Sequence, residues 1–294
     1  MKIELPTGVT LSYDMYGPED GPVVVLVPGQ HQASLFEDMQ VPHLTKAGYR
    51  VVTFDLRGVA PSEETPPPYT VELLGQDLAA LNEGLRLGRC TYIGYSVGAM
   101  ILLDLAMKRP DLVERAALIG VPWKASKLQE AIQAEAVTRL QSGQKIPALL
   151  EGVYRAMYLF GPRALNRDAF IAPFLEGLQG WAESGGHGAI GHAEAARRFR
   201  PSEAEVAEVR VPLLVVGMEH DIVAPRHYAR ELAALIPTAE YTEIRNSGHA
   251  SLLEKPTEVN HLVGEYLRSG KVGTPRGTAH ARDHVAGGAQ GRTA

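Results

Sequence analysis

Cysteine is nearly absent: the 294 residues contain one, Cys90, so no internal disulfide can staple the fold, and a reducing compartment is permitted. Long apolar runs are missing as well. The most apolar stretch, Val23–Val27, ends at Pro28-Gly29 and is far too short to span a bilayer. The first residues, Met1-Lys2-Ile3-Glu4-Leu5-Pro6, hold no apolar run that could serve as a signal peptide. Positive charge is in deficit. There are 29 Lys and Arg against 34 Asp and Glu, a formal net charge of -5, so no basic surface invites nucleic acid or acidic lipid. These absences predict a cytoplasmic protein with neither a nucleic-acid nor a membrane partner, and they permit a homo-oligomer.

Hydrophobic residues make up 45% and charged residues 21%, the balance of a globular protein. The length suits one large α/β domain with an insertion, or two smaller domains. In the first half strands and helices alternate. Residues 10–13 alternate like an edge strand, and Val23–Val27 is a continuous β-branched run, the signature of a strand buried on both faces. A helical stretch over 35–47 follows, then a second buried strand at 50–54 and a proline-rich polar loop over 55–69. Thr70 is placed to cap the next helix, with Glu72 in its first turn. Residues 91–93 read as a third strand, 97–107 as an apolar helix and 115–119 as a fourth strand. Repeated strand-helix-strand order implies a mostly parallel central sheet flanked by helices.

After Pro122 no buried strand is expected until about residue 200, and Ala, Leu, Glu and Arg dominate, so 123–200 reads as a helical cap inserted into a core of 1–122 and 201–268. Strands return at 212–216 and 239–244, and a last helix covers 256–268. The segment 269–294, rich in Gly, Ala, Thr and Arg, is predicted to be disordered.

The chemistry centres on Gly94-Tyr95-Ser96-Val97-Gly98, a G-x-S-x-G pattern between a predicted strand and a predicted helix. A serine on so tight a turn needs neighbours without side chains, and Gly94 and Gly98 supply that room. The hydroxyl is then pushed out at the carboxyl end of the sheet, near a helix N-terminus that favours negative charge. A hydroxyl needs a base. Among ten histidines the best placed is His249, in Asn246-Ser247-Gly248-His249 after the last strand. The imidazole in turn needs an acid to fix its tautomer. Asp221, after the preceding strand, is the candidate, with Glu219 as the alternative, and the chain order Ser, Asp, His is that of α/β hydrolases. Two backbone N–H groups should form an oxyanion hole: that of Val97, and that of Gln30 in the turn after Val23–Val27.

On these residues the chain resembles the α/β-hydrolase fold superfamily. The similar branch is that of helical-capped single-domain enzymes: small esterases, enol-lactone hydrolases, cofactor-free haloperoxidase-like enzymes and carbon–carbon bond hydrolases. The resemblance covers residues 1–268 and rests on Pro28-Gly29-Gln30, Asp55-Leu56-Arg57-Gly58, Gly94 to Gly98, Asp221 and Gly248-His249. It implies a Ser96-His249-Asp221 triad and no cofactor. Pro28 stands where such enzymes often have histidine, and Ala60 where they often have glycine. A serine at the elbow argues against the aspartate chemistry of dehalogenases and epoxide hydrolases.

Both tryptophans and most phenylalanines fall in or beside the insertion, so a substrate with an apolar part is expected. His31, Trp123, Tyr158, Phe170 and Trp181 are the candidate contacts. Residues 185–188 suggest a flexible turn between cap helices; His187 and His192 have no cysteine or clear carboxylate partner, which argues against a metal. The expected reaction is hydrolysis of an ester or lactone of a small, partly apolar molecule through an acyl-enzyme. The same fold leaves open carbon–carbon bond or thioester hydrolysis, a non-hydrolytic lyase, cyclase or oxygenase, or a ligand sensor.

Overall fold

The computed structural model describes residues 1–30, 34–143, 146–181 and 187–270. Its centre is a sheet of eight strands: β1 (Lys2–Leu5), β2 (Val9–Tyr16), β3 (Val23–Val27), β4 (Arg50–Phe54), β5 (Cys90–Tyr95), β6 (Val113–Ile119), β7 (Leu213–Met218) and β8 (Ala239–Ile244). The order is β1-β2-β4-β3-β5-β6-β7-β8. From β4 to β8 every pairing is parallel, whereas β1 on β2 and β2 on β4 are antiparallel. Residues 10–13, expected as an edge, lie within β2, and β1 pairs outside it.

The continuous apolar runs are explained by two cores. Strand side chains alternate between faces. Val25, Val27, Val52, Tyr92, Leu118, Leu213 and Val215 feed one core, while Val24, Leu26, Val51, Ile93, Ile119, Leu214 and Val216 feed the other. Each such side chain contributes about 1.5–3 kcal/mol by burial, so neither face tolerates the polar alternation of a half-exposed strand.

Local signals set the helix ends. The Thr70 hydroxyl accepts from the Leu73 N–H at 3.1 Å and starts the helix Val71–Gly84. The stretch expected as one helix over 35–47 is two, Ser34–Glu37 and Gln40–Lys46. Gly270, left-handed at φ 69°, ends the helix Pro256–Ser269. Of the segment 269–294 expected to be disordered, Ser269 and Gly270 instead complete this helix, and 271–294 lie outside the described residues.

Between β6 and β7 the described residues form helices and no strand: Lys127–Ser142, Ala148–Leu159, Pro162–Leu165, Asp168–Trp181, His187–Arg198 and Glu203–Ala207. Phe160, Phe170 and Phe174 pack there in a separate small cluster with Ala156, Ala164 and Ala250. Gly188, expected in a flexible turn, lies inside the helix His187–Arg198. A β-carbon on Gly188 would stand 2.1 Å from the Gly58 carbonyl oxygen, so a glycine is what lets this helix touch the loop after β4. No described helix is long and apolar enough to cross a membrane.

Candidate active site

Ser96 sits between β5 and the helix Val97–Lys108 with φ 55° and ψ -116°, a conformation that costs a residue with a β-carbon about 1–3 kcal/mol. The turn makes glycine obligatory at positions 94 and 98. A β-carbon on Gly94 would lie 2.6 Å from the Gly98 carbonyl oxygen, and one on Gly98 would lie 2.2 Å from that of Val27. The strain is sustained because the Ser96 N–H is tied to the Ile119 carbonyl oxygen at 2.9 Å, and the helix behind it is buried.

His249 follows β8, and Asp221 follows β7. The His249 ring places Nδ1 2.8 Å from Asp221 Oδ2 and Nε2 2.9 Å from Ser96 Oγ. The other Asp221 oxygen, Oδ1, accepts from the N–H groups of Val223 and Ala224, both at 2.7 Å. A carboxylate only accepts, so Nδ1 carries the proton and Nε2 turns its lone pair to the serine hydroxyl. Asp221 and His249 are both buried, where hydrogen bonds are stronger than in water. Tyr95 lies against the imidazole, with ring centroids 5.2 Å apart. Glu219, the alternative acid, points elsewhere: its Oε2 accepts from the Asn246 N–H at 2.8 Å and shapes the histidine loop.

A β-carbon on Gly29 would meet Tyr95 Cδ1 at 3.2 Å and Ser96 Cβ at 3.4 Å, so the loop carrying Gln30 is packed on the serine. The Gln30 side-chain amide donates to the Ala189 carbonyl oxygen at 3.0 Å, linking this loop to the insertion. Val97 opens its helix, and the N–H groups of a first turn have no intrahelical acceptor.

The expected substrate contacts divide. Tyr158 is half-buried and stacked on Tyr154, and burial pushes its hydroxyl pKa up, with Tyr154 and Asp221 adding to the shift. The charge of Asp221 is thus felt at the Tyr158 hydroxyl. Trp123 is corrected: it is 0% exposed in the main core, with its indole N–H donating to the Tyr228 carbonyl oxygen at 2.7 Å, and has no surface to offer a ligand. Phe170 packs edge-on against Phe160 in the small cluster that also takes in Ala250 from the histidine loop. His31 and the Trp181 side chain lie outside the described residues.

Arg57, Asp77, His192 and Glu254 are buried polar residues whose partners the sequence reading does not assign. Arg57 is buried and donates to both carboxyl oxygens of Asp77, at 2.5 and 2.6 Å. Asp77 sits among Leu74, Leu78 and Leu81 on the buried face of its helix, and an acid in that pattern is a readable sign of a buried pair. His192 is fully buried, with Nε2 3.0 Å from the Arg57 carbonyl oxygen. Glu254 is buried behind the histidine loop. No local pattern marks the last two.

Comparison with known proteins agrees with this architecture. The sequence profile of the family described as the alpha/beta hydrolase fold matches residues 22–256. A protein of Mycobacterium tuberculosis named as a non-heme bromoperoxidase, BpoC, is 27% identical over 264 residues, covering 90% of this chain and 100% of that one. Its crystal structure superposes with a TM-score of 0.83, over 89% of this chain and 97% of the other. A protein of Stutzerimonas stutzeri named as a carbamate hydrolase, RutD, is 25% identical over 87% of this chain and 96% of its own length. The enol-lactonase of Burkholderia xenovorans LB400 shares the fold at a TM-score of 0.80 and 24% identity, over 91% of this chain and all of the other.

Proposed function

The chain belongs to the alpha/beta hydrolase fold family, and on that footing we propose that it is a serine hydrolase cleaving an ester or lactone of a small, partly apolar molecule. The observation that carries this is the unbroken line from Asp221 Oδ2 to His249 Nδ1 at 2.8 Å and from His249 Nε2 to Ser96 Oγ at 2.9 Å. Such a line makes the hydroxyl a nucleophile at neutral pH.

Ser96 Oγ attacks the acyl carbon while its proton passes to His249 Nε2. Asp221 stabilises the imidazolium and holds its tautomer. The carbonyl oxygen takes the negative charge, and the N–H groups of Gln30 and Val97 receive it, each contributing about 3–4 kcal/mol in the transition state. The tetrahedral adduct collapses, the alcohol leaves with the proton from Nε2, and the acyl group stays on Ser96. His249 then takes a proton from water, the resulting hydroxide attacks the acyl carbon, and the acid departs as Ser96 regains its proton. The insertion acts as a cap whose Tyr158 faces the acyl or alcohol part of the substrate. The buried single cysteine fits a cytoplasmic setting.

The likeness to proteins named as carbamate hydrolases favours a second substrate class, since a carbamate carbonyl is open to the same attack. The test is a fluorophosphonate probe followed by mapping of the labelled peptide, with turnover of short aryl esters, lactones and carbamates alongside. Labelling of Ser96, abolished in Ser96→Ala, is the expected result. An unlabelled chain without turnover on any of the three classes would sink the proposal.

A further inference from the structure

Glu254 closes the short helix Ser251–Glu254 that follows His249, and it is 7% exposed. Its Oε2 gathers three donors: the Gly248 N–H at 2.9 Å, the Gly161 N–H at 3.1 Å and the Ser247 hydroxyl at 3.4 Å. Its Oε1 is buried and has no hydrogen-bond partner among the described residues. Gly248 immediately precedes His249. Gly161 follows the helix Ala148–Leu159 of the insertion, which carries Tyr158. One carboxyl oxygen therefore joins the loop of the base to the insertion.

Two further contacts lie at the same seam. The Ala250 N–H, on the other side of His249, donates to the Leu159 carbonyl oxygen at 2.9 Å. A β-carbon on Gly248 would stand 2.5 Å from that same oxygen and 2.7 Å from the Gly161 nitrogen, so the two backbones touch directly. His249 is thus held from both flanking residues by the segment 159–161. Without the carboxyl group the buried N–H groups of Gly248 and Gly161 lose their acceptor, and an orphaned buried donor moves to find another. The residue next to that movement is the base.

We propose that Glu254 is a positioning residue: it sets His249 Nε2 against Ser96 Oγ by fastening the histidine loop to the insertion. The inference rests on the serine-hydrolase reading above, and its test separates the two. Glu254→Ala, Glu254→Gln and Ser96→Ala are compared in the full chain. Two quantities are read: kcat and KM for a short aryl ester per folded protein, and the downfield proton resonance of His249 Nδ1–H facing Asp221. Displacement of a base by a fraction of an ångström to about 1 Å costs on the order of 10- to 100-fold. The expected result is that Glu254→Ala loses about that much kcat with KM nearly unchanged, and that the downfield resonance shifts or broadens. Glu254→Gln keeps an acceptor oxygen for both N–H groups, and its kcat should return to within about threefold of the parent. A wild-type kcat and resonance in Glu254→Ala would overturn the proposal, as would a glutamine variant no faster than the alanine one. If Glu254→Ala does not fold, Glu254→Asp, one methylene too short to reach both N–H groups, is read in the same way. Turnover retained in Ser96→Ala would instead overturn the hydrolase reading and leave the resonance to decide the role of Glu254.

Discussion

The ring N–H of buried His192 donates to the carbonyl oxygen of Arg57 across 3.0 Å, and so pins the helix His187–Arg198 to the loop after β4. Tyr69 stands beside the ring, with centroids 5.6 Å apart, and the Arg57 guanidinium is committed to Asp77. No carboxylate faces the imidazole in these contacts, so burial holds its pKa down from 6.5 to about 4.

A pH dependence of stability follows. The unfolded chain takes up a proton near pH 6.5, and the folded chain resists it until about pH 4. More protons on the unfolded state mean that stability is lost as pH falls through this window, by up to about 3 kcal/mol. His192→Gln removes the titration. The melting temperature of the parent should therefore fall more steeply than that of the variant between about pH 6.5 and 4. Parallel curves would show that the ring is not held neutral.

The backbone strain at Ser96 separates two inactive variants. Ser96→Ala and Ser96→Gly should both lose turnover. Only glycine relieves the positive φ of 55°, so Ser96→Gly should be the more stable of the two by about 1–3 kcal/mol. Chemical denaturation measures the gap, and equal midpoints would mean the turn is unstrained.

Asp221→Asn should slow turnover by roughly four orders of magnitude, because an amide offers His249 Nδ1 a donor as readily as an acceptor and favours the wrong tautomer. Glu219→Gln keeps an oxygen for the Asn246 N–H and should stay within about tenfold. Steady-state kinetics of the pair decides which acid serves the histidine.

Trp123 and Tyr158 should behave oppositely. Trp123→Ala empties a fully buried site and should cost about 3–5 kcal/mol of stability without altering the preference among substrates. Tyr158→Ala, at a half-buried position, should cost a bulky ester about 1–3 kcal/mol more than a short one. Ratios of kcat/KM for two esters, with melting curves, test both. An unchanged ratio in Tyr158→Ala would take that ring out of substrate recognition.

The sequence by itself determined the elements whose cause is local or periodic. Val23–Val27 reads as a doubly buried strand because its neighbours alternate between two apolar cores. Gly94 and Gly98 announce the turn at Ser96 because the clash they avoid is with backbone close at hand. The loops of Asp221 and His249 were legible because in a parallel sheet each follows its own strand at the same edge. Tertiary structure alone decided the rest. The strand β1 has only four residues and exists through its pairing with β2. Trp123 looked like a pocket residue until the Tyr228 carbonyl oxygen, 105 positions away, took its N–H. His192 with Arg57, and Glu254 with Gly161 and Gly248, join segments 135 and 93 residues apart in the first case and in the Gly161 contact. A buried polar group declares its role only through the partner that makes its burial tolerable, and that partner is chosen by packing, not by its neighbours along the chain.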